Sequence, residues 1–282
     1  MVEPYLAALL HEIEACAEMA REMGLHIRVG YIGGGTPSSL TTPQLDRLLA
    51  HVERHFGALA EFTVEAGRPD TLDAQKLRMI HDHPVTRISI NPQTMNDATL
   101  TRIGRAHTAK QTVEAYELAR SIGFDDINMD VIAALPGEDY AMFAHTLAEI
   151  RRLRPESLTV HTLAIKRSSR LHEENTRRRN RTPLAWWRSA QTAHDMGMRA
   201  SPVPAKIHGG KHGKRGLRTA GAFLPIQHRQ HGRNHQHSDA RRGGISKCVM
   251  REEKILRAPN IANIEQYIDR VDERSSESDR LC

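Results

Sequence analysis

The stretch Tyr31–Leu40, YIGGGTPSSL, sets three consecutive glycines directly behind a short apolar run. No lysine follows Gly35, so the segment is not a P-loop. Pro37 holds Thr36 extended or in a turn, where a dinucleotide fingerprint would run straight into a helix. What remains is a glycine turn at a strand end. It is either an ordinary tight turn using glycine's freedom at positive φ, or backbone left bare for a ligand.

Outward from that turn, β-rich runs alternate with helical patterns through residue 165. The runs are IRVGYIG (27–33), FTVEA (62–66), RISI (87–90), DINMDVIAAL (126–135) and LTVHTLAI (158–165). Leu6, Leu9, Leu10 and Ile13 share one face of a first helix. Thr42 with Pro43 starts another, whose stripe is Leu45, Leu48, Leu49 and Val52. Thr108 caps a further helix that stops at Gly123. Strands with nearly continuous apolar cores, separated by helices, predict an α/β fold with a parallel sheet buried on both faces. Right-handed crossovers make it an open doubly wound sheet or part of a β/α barrel, and both place a ligand at the carboxyl ends of the strands.

Those ends carry Gly33–Thr36, Glu65, Gln93 and Asp130, with Arg105 in the loop before the next helix. Backbone amides, an amide side chain, two carboxylates and a guanidinium on one rim suit a ligand with an amine, a carboxylate and a ribose diol. Arg105 can pair with the carboxylate, and Glu65 or Asp130 can accept from ribose hydroxyls. Each also has a plainer role: Glu65 and Asp130 as helix caps, Arg105 as a surface charge, Gln93 as a loop brace.

Bulk composition narrows the classes. Of 282 residues 39% are hydrophobic and 4% aromatic, and no apolar run approaches the roughly 20 residues of a membrane helix. The acidic, amphipathic start lacks the basic region of a signal peptide. Cys16, Cys248 and Cys282 are far apart, and a reduced cytoplasm is the expected location. The net charge of +6 is local: residues 201–242 hold nine Lys or Arg against Asp239, a local +8, so the rest sums to 6 − 8 = −2. No nucleic-acid or membrane partner is expected, since the basic segment lacks a recognition motif and interleaved aromatics.

YIGGGTPSSL, FTVEAGRPD, RISINPQTMNDATLTRIGRAHT, INMDVIAALPGE and LTVHTLAIKRSSRL, taken together, resemble the radical S-adenosylmethionine enzymes of the oxygen-independent coproporphyrinogen III oxidase group, in its coproporphyrinogen dehydrogenase branch. The resemblance runs in order through residues 1–199. It implies a partial (β/α) barrel and a cofactor site in which Gly34, Gly35 and Thr36 meet the methionyl amine. Glu65 then lies near the ribose, Arg105 faces the methionyl carboxylate, and Gln93 and Asp130 make further cofactor contacts, with His161 near a backbone contact. It also implies a [4Fe–4S] cluster and a tetrapyrrole substrate, two of whose propionates are oxidatively decarboxylated to give protoporphyrinogen IX in haem biosynthesis. Lys166, Arg167, Arg170 and Arg177–Arg179 would suit substrate carboxylates or a solvated linker; Trp186 and Trp187 would stack on a tetrapyrrole or pack a helix.

The sequence departs from that family pattern in two ways. Its three-cysteine cluster motif is absent from these 282 residues, so the expectation is a chain lacking the first strand and cluster loop, with no catalytic residue or metal ligand assigned and no radical chemistry of its own. Residues 201–242 hold six histidines, no glutamate and no periodicity. His228, His231, His235 and His237 read as a metal tract or, preferred here, as part of a frameshifted segment. Codons for 206–221 and 224–236, read one nucleotide later, can spell family-like strings. The expected organisation is a barrel over 1–165, a basic linker and helix over 166–199, a disordered segment over 200–242, and a family segment over 243–282 with Ile264, Tyr267, Ile268 and Val271 on one helical face. The alternative to the oxidase is a non-catalytic protein, like a haem chaperone, that binds haem or S-adenosylmethionine.

Overall fold

The computed structural model describes residues 1–162, 195, 198–200, 214–219, 245–249, 255–259 and 263–269. Helix α1 (Val2–Glu22) buries Leu6, Ala8, Ile13, Ala17 and Ala20, while Leu9 and Leu10 of the predicted stripe are half-buried. Helix α2 (Thr42–Phe56) starts at the Thr-Pro pair, and its predicted stripe Leu45, Leu48, Leu49 and Val52 is buried. The cap is Thr41: its hydroxyl accepts from Gln44 N at 3.4 Å, and Gln44 Oε1 accepts from Thr41 N at 3.0 Å. Helix α5 (Ala109–Ile122) repeats this box with Thr108 and Gln111 and ends at Gly123, whose φ of 117° is left-handed.

The remaining elements through residue 162 are β1 (Val29–Ile32), β2 (Glu61–Val64), α3 (Ala74–Asp82), β3 (Arg87–Gln93), α4 (Asp97–Arg102), β4 (Ile127–Ala133), α6 (Tyr140–Leu153) and β5 (Ser157–Thr162). Beyond them lie β6 (Met198–Ala200), β7 (Lys214–Thr219), β8 (Ile245–Val249), β9 (Ile255–Pro259) and a helix over Ile264–Asp269. The main sheet runs β1-β2-β3-β4-β5-β7-β6. β2 through β5 pair in parallel, and β7 joins β5 and β6 antiparallel. Successive parallel neighbours joined by helices make this the predicted α/β partial barrel. No helix among the described residues is long and apolar enough to cross a membrane.

The chain divides into two compact units. One comprises Met1–Gly30, Thr41–Phe62 and Pro225–Cys282. It holds α1, α2, the β8–β9 hairpin and the helix Ile264–Asp269, where Tyr267 is 1% exposed and donates its hydroxyl to Glu12 Oε2 at 2.5 Å. Ile264 and Ile268 of its predicted face are half-buried, and Val271 lies outside the described residues. The other unit comprises Tyr31–Leu40 and Thr63–Leu224 and carries most of the parallel sheet. Of the segment 200–242, Ala200 and Lys214–Thr219 are described, as extended chain; the rest, including the histidine tract, lies outside the described residues. The backbone pairing of β7 to β5, which needs no side-chain periodicity, places Lys214–Thr219.

The expectation of strands apolar on both faces holds for one face only. Ile127, Met129, Val131 and Ala133 of β4 are fully buried, but Asn128, Asp130 and Ile132 between them are half-buried. Ser89, Asn91 and Gln93 of β3 and Ser157 and Thr159 of β5, all buried, with half-buried His161, continue the alternation of polar with apolar residues. Register pairs Ser89–Asn128, Asn128–Ser157 and Asp130–Thr159 keep these polar groups on one face. A sheet tolerates such a face because most of its groups, Ser89, Asn91, Asn128, Asp130, Thr159 and His161, hydrogen-bond to one another.

Candidate functional site

The three glycines after β1 answer to three different constraints. A Cβ on Gly33 would fall 2.2 Å from Tyr31 Cε1 and 2.8 Å from Glu65 Oε2. Gly34 sits at φ 118°, where side chains are strained. A Cβ on Gly35 would meet nothing within 4 Å, so its backbone faces open space. Thr36 follows, donating its hydroxyl to Gly35 O at 2.6 Å, while its own carbonyl accepts from Ser39 N at 2.9 Å and Ser39 Oγ at 2.6 Å. Gly33→Ala is therefore expected to displace the Tyr31 ring and cost about 1–2 kcal/mol, whereas Gly35→Ala stays within about 0.5 kcal/mol of the parent. Urea unfolding of both variants checks this; equal losses would refute the distinction.

A buried lysine fixes the segment after the glycines. Lys76 on α3, 8% exposed, donates from Nζ to the carbonyls of Ser38 at 2.7 Å, Leu40 at 2.9 Å and Thr71 at 3.2 Å. Ser38 and Thr71 also share a hydroxyl hydrogen bond of 2.6 Å. The loop after β1 is thereby tied to the turn Pro69–Thr71 after β2. Burial pulls the Lys76 ammonium below the usual lysine range, with the Asp73 charge opposing.

From that loop a chain of polar contacts crosses the sheet. Tyr31 donates its hydroxyl to Glu65 Oε2 at 3.3 Å, and Asn91 donates to Glu65 Oε1 at 3.3 Å. Ser89 donates to Asn91 Oδ1 at 2.7 Å and accepts from Asn128 Nδ2 at 2.8 Å. Asn128 Nδ2 also reaches Asp130 Oδ1 at 2.8 Å, Thr159 donates to Asn128 Oδ1 at 3.1 Å, and His161 Nε2 lies 3.2 Å from Asp130 Oδ2. Burial alone would raise the Asp130 carboxyl, but hydrogen bonds from His161 and Asn128 and the His161 charge hold it below its ordinary range. Withdrawal of its hydroxyl from water, with the Glu65 and Asp130 charges, pushes the Tyr31 phenol upward.

Gln93 ends β3 at φ 66°, beside a register shift between Ile90 and Gln93. A non-glycine residue in that region is strained, and such strain concentrates at functional sites. The buried His107 braces it: Nε2 donates to Pro92 O at 3.2 Å, and Nδ1 lies 3.8 Å from Asp70 Oδ1. Burial lowers the pKa of His107, which favours the neutral ring. Arg105 is half-buried two residues before, and its guanidinium makes no hydrogen bond or ion pair among the described residues. Glu138, in the LPGE stretch, is buried, accepts from Thr94 Oγ1 and Asn96 Nδ2, and has its carboxyl raised by burial. It ties the loop after β3 to the loop after β4.

Glu65 and Asp130, predicted separately, thus belong to one network, and the Gly33–Thr36 turn adjoins Glu65. Gln93 and Arg105 stand apart from it, each with polar atoms unengaged among the described residues. Lys166, Arg167, Arg170, Arg177–Arg179, Trp186 and Trp187 lie outside the described residues. Sequence reasoning missed Tyr31, Lys76, Asn91, Asn128, His107 and Glu138. The period-two polar series Ser89-Asn91-Gln93, Asn128-Asp130 and Ser157-Thr159-His161 was the available signal for part of them.

The radical SAM superfamily profile matches residues 7–150, more than half of the chain. The chain belongs to the radical SAM superfamily. It is 43% identical over 187 residues to an oxygen-independent coproporphyrinogen-III oxidase-like protein, HemZ, of Bacillus subtilis, covering 65% of this chain and 36% of that protein. It is 36% identical over 168 residues to the haem chaperone HemW of the same organism, covering 58% of this chain and 44% of that one. Among solved structures, coproporphyrinogen III oxidase (HemN) of Escherichia coli matches with a TM-score of 0.74 at 21% identity, over 97% of this chain and 63% of that chain, a likeness of fold. The chain thus matches less than half the length of each of these two curated relatives.

The superfamily implies S-adenosylmethionine and a [4Fe–4S] cluster. Open backbone at Gly35, acceptors at Glu65 and Asp130, and the unengaged Arg105 fit the first. The second does not fit the residues present: Cys16 is half-buried in α1, and Cys248 and Cys282 are far from it in sequence.

Proposed function

We propose that this chain carries the S-adenosylmethionine-binding barrel of a coproporphyrinogen oxidase-type protein of haem biosynthesis. The observation that carries the reading is the hydrogen-bonded line from Tyr31 through Glu65, Asn91, Ser89 and Asn128 to Asp130 and His161, one end of which lies against Gly33, two residues before the open backbone of Gly35. The line fixes two carboxylates before any ligand arrives, so binding does not have to order them. In this reading Gly34, Gly35 and Thr36 offer main chain to the methionyl amine, Arg105 pairs with the methionyl carboxylate, and Glu65 and Asp130 accept from ribose hydroxyls. Gln93, held by its strained backbone, supplies a further contact. In the superfamily it is reductive cleavage of S-adenosylmethionine that would supply hydrogen-abstracting power. The substrate class in this reading is a tetrapyrrole bearing propionate side chains.

Because residues 1–282 offer no cysteine trio at cluster spacing, the chain by itself is expected to bind S-adenosylmethionine without cleaving it. Equilibrium dialysis of the labelled cofactor tests the site. Arg105→Ala should weaken binding about thirtyfold, the worth of one charge-assisted pair, and Glu65→Gln should weaken it as well. Absence of binding, or an Arg105→Ala variant that binds equally well, would overturn the assignment. Release of 5′-deoxyadenosine under reductant after iron and sulfide treatment would overturn the expectation of no cleavage.

The similarity to HemW haem chaperones supports a second reading, in which the chain binds haem without decarboxylating anything. A stable complex with a shifted Soret band on haem titration would favour it over the oxidase reading.

A further inference from the structure

Outside the sheet, in the unit that holds α1 and α2, Glu14, His51 and His55 come together. One ligand atom from each lies within 4.8 Å of the others. His51 and His55 are four residues apart on α2, hence on one helical face, with ring centroids 4.4 Å apart. Both are half-buried. His51 Nε2 lies 2.8 Å from the carbonyl oxygen of Leu10 on α1. A carbonyl can only accept, so Nε2 carries the proton and Nδ1 the lone pair. An imidazole oriented by donating its other N–H to a carbonyl is how proteins prepare a histidine for a metal.

We propose that Glu14, His51 and His55 bind a divalent cation of the zinc class and thereby clip α1 to α2. Two imidazoles and a carboxylate make a ligand set that zinc accepts, with a fourth position left to water. Nitrogen donors disfavour magnesium and calcium, which take oxygen. Donors around a tetrahedral ion with bonds of about 2 Å stand roughly 3.3 Å apart, so the three groups, all within 4.8 Å of one another, need draw in by no more than about 1.5 Å, within reach of side-chain rotation. The site owes nothing to the cofactor reading: its residues lie on helices that supply none of the proposed S-adenosylmethionine contacts. Its two helices are consecutive in the fold, so the ion would add a cross-link to elements that already meet through the Glu3–Arg47 ion pair of 2.7 Å, the Gln44–Glu3 hydrogen bond of 2.6 Å and the His51–Leu10 contact.

The histidine tract His228, His231, His235 and His237 is a competing binder and must be silenced first. The test uses the full chain with those four residues changed to Gln. Zinc titration calorimetry on this background should show a single site and a raised Tm with zinc in excess. Adding His55→Ala should weaken binding at least tenfold and abolish the rise in Tm, and Glu14→Gln should weaken binding severalfold. Cobalt, as a spectroscopic stand-in, should give visible absorption bands of a four-coordinate site in the background protein and lose them in His55→Ala. A background protein that takes up no zinc, or one whose affinity is unmoved by His55→Ala, would overturn the proposal. So would a Tm gain that persists in the variant.

Discussion

Lys76→Met is expected to lower the stability of the chain by about 3 kcal/mol and to release the loop that follows the glycines. Methionine keeps most of the stem's packing, so the change isolates the ammonium. That ammonium serves the carbonyls of Ser38, Leu40 and Thr71, and no carboxylate hydrogen bond to it occurs among the described residues. Left without a donor in a buried place, each carbonyl bears a desolvation penalty that water entry only partly relieves. The turn bonds Ser39 N to Thr36 O and Leu40 N to Pro37 O, at 2.9 Å and 3.1 Å, lose their outer support. Hydrogen exchange at Ser39 and Leu40 should rise well beyond the change at Ile90 in the core of β3. S-adenosylmethionine affinity should fall with it, because the cofactor reading needs the Gly34–Thr36 backbone preset. A Lys76→Met variant with the parent's urea midpoint and unchanged exchange at Ser39 would remove Lys76 from this role.

Lys76 also marks where reading the sequence reached its limit. The alternating strands and helices, the Thr108 cap and the Leu45–Val52 stripe follow from local periodicity and capping, and they stand in the fold as read. A lysine within QKLRM gives no local cue that it is buried, because its carbonyl partners lie five to 38 residues away in the chain. The polar face of the sheet was half legible. Asp130 and Glu65 were visible as acids at strand ends, but their link through Asn91, Ser89 and Asn128 depends on the register between β3 and β4, which no single strand encodes. The apolar residues Ile127, Met129 and Val131 dominated the reading of β4 and hid its period-two polar set. Gln93 was singled out for its side chain, whereas its left-handed backbone appears only once the register shift beside it is known. Nothing in the sequence reading drew Glu14 to His51 and His55, since the α1–α2 packing that joins them is tertiary.

Asp130→Asn is expected to cost about 2 kcal/mol at neutral pH and to flatten the acid side of the stability curve. The carboxylate takes a hydrogen bond from Asn128 and faces His161, so its ionised form is favoured in the fold despite burial. Its folded pKa lies below the unfolded value. The stabilisation is therefore fully present above the ordinary aspartate range near pH 4 and is lost as pH falls through the folded pKa. Glu138 has the opposite sign, since burial raises its carboxyl and its contribution fades as pH climbs above the ordinary glutamate range. It is common to parent and variant, so the difference between their stability curves cancels it and isolates Asp130. An asparagine at this position turns one acceptor into a donor facing the Asn128 amide or His161, and one of those groups must find water. The expected difference curve is flat above about pH 5 and shrinks toward zero in acid. A difference independent of pH would mean that Asp130 contributes shape and not charge. If S-adenosylmethionine affinity then also stayed at the parental level, the carboxylate would have no place in the cofactor site, and the line from Tyr31 to His161 would be a device for holding strands together.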